Sequence, residues 1–208
     1  EFEVRVLSEM LRADANFLSH IAQAENANIW TPLTEIEYIF RHALLRDAAY
    51  SMQLLTRQRE LHGLAVSAME TVYRDDLEPH YGELAYHAEK ANLKEKALSY
   101  LTLVGGLAMS AFQNHQAIDY FTRALSLIPK SDLRTKFNVL LKRVECNFHV
   151  GNPVAQNEDL ELLEKIAKEL DDRLLFAQVY NRYAYLAAKQ GDYKKVIEFG
   201  FKAKVLAE

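Results

Sequence analysis

The chain has 208 residues, half of them apolar and 26% charged, with a formal net charge of −4. That balance excludes a disordered segment and gives no broad attraction to nucleic acid or to an anionic membrane. Seven glycines, four prolines and a single cysteine exclude an internal disulfide and favour long helices over a loop-rich β fold.

The elements follow in chain order. Val6, Leu7, Met10 and Leu11 continue an apolar stripe begun at Phe2, which predicts a helix over Glu3–Arg12. Asp14 is placed to cap a second helix that carries Phe17, Leu18 and Ile21 inward. Asn28–Thr31 and Ile36–Phe40, parted by Pro32-Leu33-Thr34, read as a small β-hairpin packed by Trp30 and Tyr38. Helices over His42–Leu54 and Thr56–Tyr73 complete a first unit, residues 1–77. From residue 78 to 208 the pattern is helical throughout, with helices expected over Pro79–Ala91, Leu93–Ala111, His115–Ile128, Leu133–Val150, Val154–Leu170, Arg173–Gln190 and Tyr193–Ala207. Asp132 and Asp172 lie 40 residues apart, as do Gly151 and Gly191, and Leu140 and Val144 then align with Tyr180 and Ala184. Such a period is the mark of an α-solenoid. The fold class predicted is mainly α: a winged-helix-like N-terminal unit with one small β-hairpin, then an α-solenoid of helical hairpins.

Two sets of residues carry a family resemblance. Tyr180, Tyr183, Ala184, Ala187, Gly191-Asp192-Tyr193, Val196 and Ala203, with Ala117, Phe121, Ala124 and Pro129 earlier, fall at the spacing of the tetratricopeptide (TPR) repeat. Gly200 departs from it, as does the 40-residue period. Tyr38–Tyr50, reading YIFRHALLRDAAY, has a strand that feeds a helix through Arg41-His42. Together they resemble the end of a STAND-type bacterial signalling ATPase, where a winged helix hands over to TPR-like repeats, as in predicted ATPases of the adenylate or guanylate cyclase type. The resemblance implies that His42, with Arg41 beside it, senses the phosphates of ATP or ADP in the intact parent. Arginine and alanine replace the two neighbours of the motif's histidine. It also implies a protein or peptide partner in the solenoid groove, on the face of Tyr180, Asn181, Arg182, Tyr183 and Lys189, and coupling to an upstream ATPase module. The alternative from the same resemblance is the matching piece of a transcription activator.

No cofactor is expected in this piece itself. There is no GxxxxGK[ST] or GxGxxG loop, and Gly105-Gly106 lies inside a helical pattern, where close helix packing explains it. Catalysis is not expected: Cys146 reads as a buried structural thiol, and pairs such as Glu158-Asp159 and Asp171-Asp172 as solvated residues of helix starts and turns. A rival reading is a metal-dependent enzyme using His80, Glu83 and His87, which share one helical face at i, i+3 and i+7; a solvent-facing polar stripe is the simpler account. His20, His62, His115 and His149 have no ligand-like spacing. Arg41, Arg46, Arg57 and Arg59 make the first unit locally basic, but the acidic chain has no wide phosphate footprint, so nucleic acid is not the expected partner. No apolar run reaches the roughly 18 residues that cross a bilayer. The start lacks the positive charge of a signal peptide, which gives a cytoplasmic expectation. The apolar stripe at the start and a last helix running to Glu208 read as a piece of a longer protein.

Overall fold

The computed structural model describes residues 2–12, 16–34 and 37–208. The chain divides into two compact units, Glu1–Tyr100 and Leu101–Glu208. The fold is mainly α with a small antiparallel sheet and a solenoid-like run of helical hairpins.

In the first unit the expected hairpin is present as β2 (Trp30–Pro32) and β3 (Glu37–Phe40), with Trp30 opposite Phe40 and Pro32 opposite Tyr38. Trp30 packs edge-on against Tyr38 and Phe40, ring centroids 6.5 and 6.0 Å away. Pro32 is tolerated because β2 is an edge strand. The first helix is shorter than predicted. Glu3 is extended (φ −91, ψ 136), and Phe2–Glu3 form β1 on the other side of β3, so α1 covers only Val4–Met10. The Asp14 cap, and Glu35 and Ile36 of the predicted alternation, lie outside the described residues. α2 (Phe17–Asn26) buries Phe17 and Ile21, but Leu18 is 76% exposed, because i and i+4 share a face and i+1 does not.

α3 (Ala43–Ser51) and α4 (Leu55–Val72) follow. α4 buries His62, Ala65, Val66, Ala68 and Met69 along one stripe and packs on α1 and α5. The helix expected from Pro79 is divided. A 3-10 turn takes Glu78–His80, and α5 (Tyr81–Lys90) begins beyond His80, which is held near φ −99, ψ 1.

α6 (Lys94–Ser110), within which the division falls, precedes α7 (Asn114–Leu127), α8 (Leu133–Val150), α9 (Pro153–Glu169), α10 (Arg173–Lys189) and α11 (Tyr193–Ala207). From α7 onward each helix packs on the next. The turns explain the regularity. Residues with left-handed backbone stand at Asn92, Phe112, Gly151, Asp171 and Gly191, close to every twentieth residue apart from the Pro129 turn. After each, an N–H reaches back five residues: Leu93 to Ala88, Gln113 to Ala108, Asn152 to Asn147, Asp172 to Ala167 and Asp192 to Ala187. Asn152, Asp172 and Asp192 do double duty: their side chains also accept from the first turn of the following helix. Those N–H donors hold the carboxyls of Asp172 and Asp192 below the usual carboxylate range.

The core of the second unit centres on Phe137, Leu140, Val144, Leu160, Leu163 and Val179. Phe112 is the strained member of the turn series, a bulky residue at φ 58 with 82% of its surface exposed. Phe112→Gly is therefore expected to raise stability by up to about 1 kcal/mol in urea unfolding, since the side chain has little packing to lose and a left-handed L-residue costs that order.

Candidate functional site

The 40-residue repeat places matching positions of α8 and α10 side by side. Leu141, Glu145, Phe148 and His149 are the counterparts of Asn181, Tyr185, Ala188 and Lys189. Between these helices and the start of α11 lies an open cleft of about 600 Å³, lined by Leu141, Gln178, Asn181, Arg182, Ala184, Tyr185, Ala188 and Val196. A smaller hollow of about 160 Å³ continues it along α8, past Val144, Glu145, Phe148, His149 and Gln156, with Arg182 and Tyr185 common to both.

The walls are amphipathic. The Arg182 guanidinium donates to Glu145 Oε2 at 2.8 Å, which fixes it across the two helices. Lys189 donates to the Phe148 carbonyl at 2.5 Å and lies 4.4 Å from its ring centroid. Gln178 and Asn181 present exposed side-chain amides, each able to donate and accept at once, as a peptide unit does. Tyr185 is 60% exposed and offers a flat apolar surface with a hydroxyl at its tip.

Of the face predicted from sequence, Asn181 and Arg182 line the cleft, and Lys189 closes onto Phe148 farther along. Tyr180 and Tyr183 turn the other way. Their rings stack on Phe199 at 6.0 and 5.1 Å, and Tyr180 donates to Glu164 at 3.2 Å. Burial, with Glu164 and Glu161 nearby, pushes the Tyr183 hydroxyl up to about 12, and Tyr180 moves in the same direction. Gln178, Tyr185 and Ala188 were missed. Their signal was available, since they continue the spacing of Asn181 along one helical face.

His42 stands at the N-terminus of α3 with extended backbone (φ −126, ψ 115). Its carbonyl accepts from Leu45 and Arg46, while its exposed imidazole makes no capping bond. Arg41 donates to Asn28 Oδ1 at 2.5 Å. Arg46 pairs with Asp47 and Arg57 with Glu60, so two of the four arginines of the basic region are matched locally.

The polar stripe drawn through His80, Glu83 and His87 does not form as expected. His80 stacks on Tyr73 at 3.5 Å and approaches Glu83 at 3.7 Å, whereas His87 turns inward to His62, their Nδ1 atoms 2.8 Å apart. His62 in turn meets the Tyr50 hydroxyl through Nε2 at 3.0 Å. No group of three or more metal-ligating side chains occurs among the described residues. Burial lowers both imidazoles: His62 with help from Lys90, and His87 to about 4.

One further expectation changes, and the reading of Cys146 as a buried thiol holds. Asp159 is not a solvated residue but is 5% exposed within α9, and accepts two bonds from Arg143. Cys146 is fully buried, and that burial, aided by Glu145, pushes its thiol up to about 11, far from nucleophilic use. No helix among the described residues is long and apolar enough to cross a membrane. No protein-family model matches the chain, and no curated protein matches it either.

Proposed function

We propose that this chain is a non-catalytic regulatory module of a larger signalling protein, in which TPR-like repeats bind a partner segment and the N-terminal unit couples that event to a STAND-type ATPase. The α8–α10 cleft carries the reading. It is open, lined by a matched pair of repeat positions, and combines peptide-like amides, an anchored guanidinium and an exposed aromatic, the mixture that suits an extended protein segment. Coupling would act as a population shift between two arrangements of the parent, with His42 and Arg41 reading ADP or ATP.

The test has two arms. Peptides selected against the chain from a displayed random library are expected to lose at least about tenfold in affinity on Asn181→Ala with Tyr185→Ala, a loss of roughly 1.4 kcal/mol or more. Peptides that bind this variant equally well would place the interaction elsewhere. Separately, calorimetric titration of ADP and ATP into the chain joined to its upstream module is expected to show binding that weakens on His42→Ala; unchanged binding would remove His42 from the nucleotide site.

A further inference from the structure

α3 is poorly embedded for a helix of its length. All nine of its residues are exposed, Leu44 to 84% of its surface. It touches β3, and specific bonds tie its C-terminal end to α4. Gln58 of α4 donates to the carbonyls of Tyr50 at 3.0 Å and Gln53 at 3.3 Å. The Tyr50 hydroxyl meets His62 Nε2 at 3.0 Å, with the two rings edge-on at 5.8 Å. The row then continues from His62 Nδ1 to His87 Nδ1 of α5. Tyr86 packs edge-on against both imidazoles, at 5.7 and 5.3 Å.

We propose that Tyr50, His62 and His87 form a proton-sensitive latch that fixes α3 against α4 and α5, and so couples the position of His42 to the first helix of the repeats. The value of α3 as a sensor helix rests on the reading above; the latch itself does not. Its logic is geometric. Two Nδ1 atoms 2.8 Å apart can share only one proton, so the row tolerates a neutral pair or a single added proton on His62, and a second proton must break it. The titratable groups facing the imidazoles are Tyr50 from α3 and Tyr86 and Lys90 from α5, where the Lys90 ammonium lies 5.7 Å from the Tyr86 ring. On α3, Arg46 and Asp47 are occupied with each other, as are Arg57 and Glu60 on α4.

The sign follows from the histidines, whose folded-state values lie below the ordinary 6.5. The latch is fully formed above that pH and is lost as pH falls toward about 4, where His87 takes up its proton. The test is amide hydrogen exchange of the full chain, normalised for intrinsic rates, without nucleotide. Protection across α3 is expected to drop at least about tenfold between pH 7 and pH 4, ahead of α4 and α5. Tyr50→Phe removes one oxygen from a half-exposed side chain and leaves the fold intact; it is expected to give α3 at pH 7 the exchange that the unaltered chain shows at low pH. His87→Gln, with its histidine gone, is expected to flatten the pH dependence. If α3 exchange in Tyr50→Phe stays within twofold of the unaltered chain, or keeps the same pH dependence, the latch is overturned, whatever the nucleotide titrations give.

Discussion

Asp159→Ala is expected to destabilise the chain by about 3–5 kcal/mol, the largest effect of any single polar substitution described above. Asp159 receives the Arg143 guanidinium at 2.6 and 2.9 Å and lies 3.4 Å from the Asn147 amide, while Arg143 also donates to Thr122 at 2.9 Å. One network therefore ties α7, α8 and α9 together. Removing the carboxylate leaves a guanidinium that is only 20% exposed with no counter-charge, and the protein has no cheap way to discharge an arginine. Urea unfolding should report the loss as a lower midpoint at unchanged slope. Replacing both partners, Arg143→Met with Asp159→Leu, is expected to recover much of it, because no buried charge then remains. A loss below about 1 kcal/mol for Asp159→Ala would mean that solvent reaches the pair and that the network is only a surface contact.

The paired substitutions Gly105→Ala and Gly106→Ala are expected to move stability in opposite directions. Both residues lie inside α6, so alanine brings each the same gain in helix preference, ~0.5–1 kcal/mol. At Gly106 a Cβ meets nothing within 4 Å, and that gain should appear intact. At Gly105 it would stand 2.7 Å from Cε1 of Phe121, a ring with no exposed surface and no room to retreat. Overpacking of this kind costs about 1–3 kcal/mol, enough to reverse the sign. Thermal or urea unfolding of the two variants side by side checks the argument, and equal responses would show that α6 and α7 are not in close contact there. Gly105→Ala combined with Phe121→Leu should restore part of the loss.

Where local chemistry dominates, the sequence was readable in detail. The bounds of α8 and α11 agree with expectation because Asp132, Gly151 and Asp192 supply caps and left-handed turns whose geometry is set by the residue itself. The 40-residue register also contained the cleft, since it aligns Leu141 and Glu145 with Asn181 and Tyr185. Long-range pairing was less visible. Phe2–Glu3 fit a helical stripe as well as a strand, and only the free edge of β3 decides between them. The sequence separations of His62 from His87 and of Arg143 from Asp159 resemble no ligand or ion-pair spacing within one helix. They meet because neighbouring helices cross, and no periodicity on a single helix encodes that. The division of the Tyr180–Tyr183 face from the cleft has the same origin, since it depends on where α11 places Phe199.

The double use of Asn152, Asp172 and Asp192 has a consequence for how the second unit is built in time. Each junction is completed by bonds reaching no more than five residues back and three ahead, so a helical hairpin can close before distant parts of the chain have met. Folding that draws on such local closure is fast, and nucleation can start at any junction and spread to its neighbours. The order of loss should mirror this. α9 buries six residues, but among its own α11 buries only Ala203, so α11 peels away first and the α8–α9 hairpin persists longest. A segment that docks across α8 and α10 would therefore tie α10 to the slowest-melting hairpin of this unit.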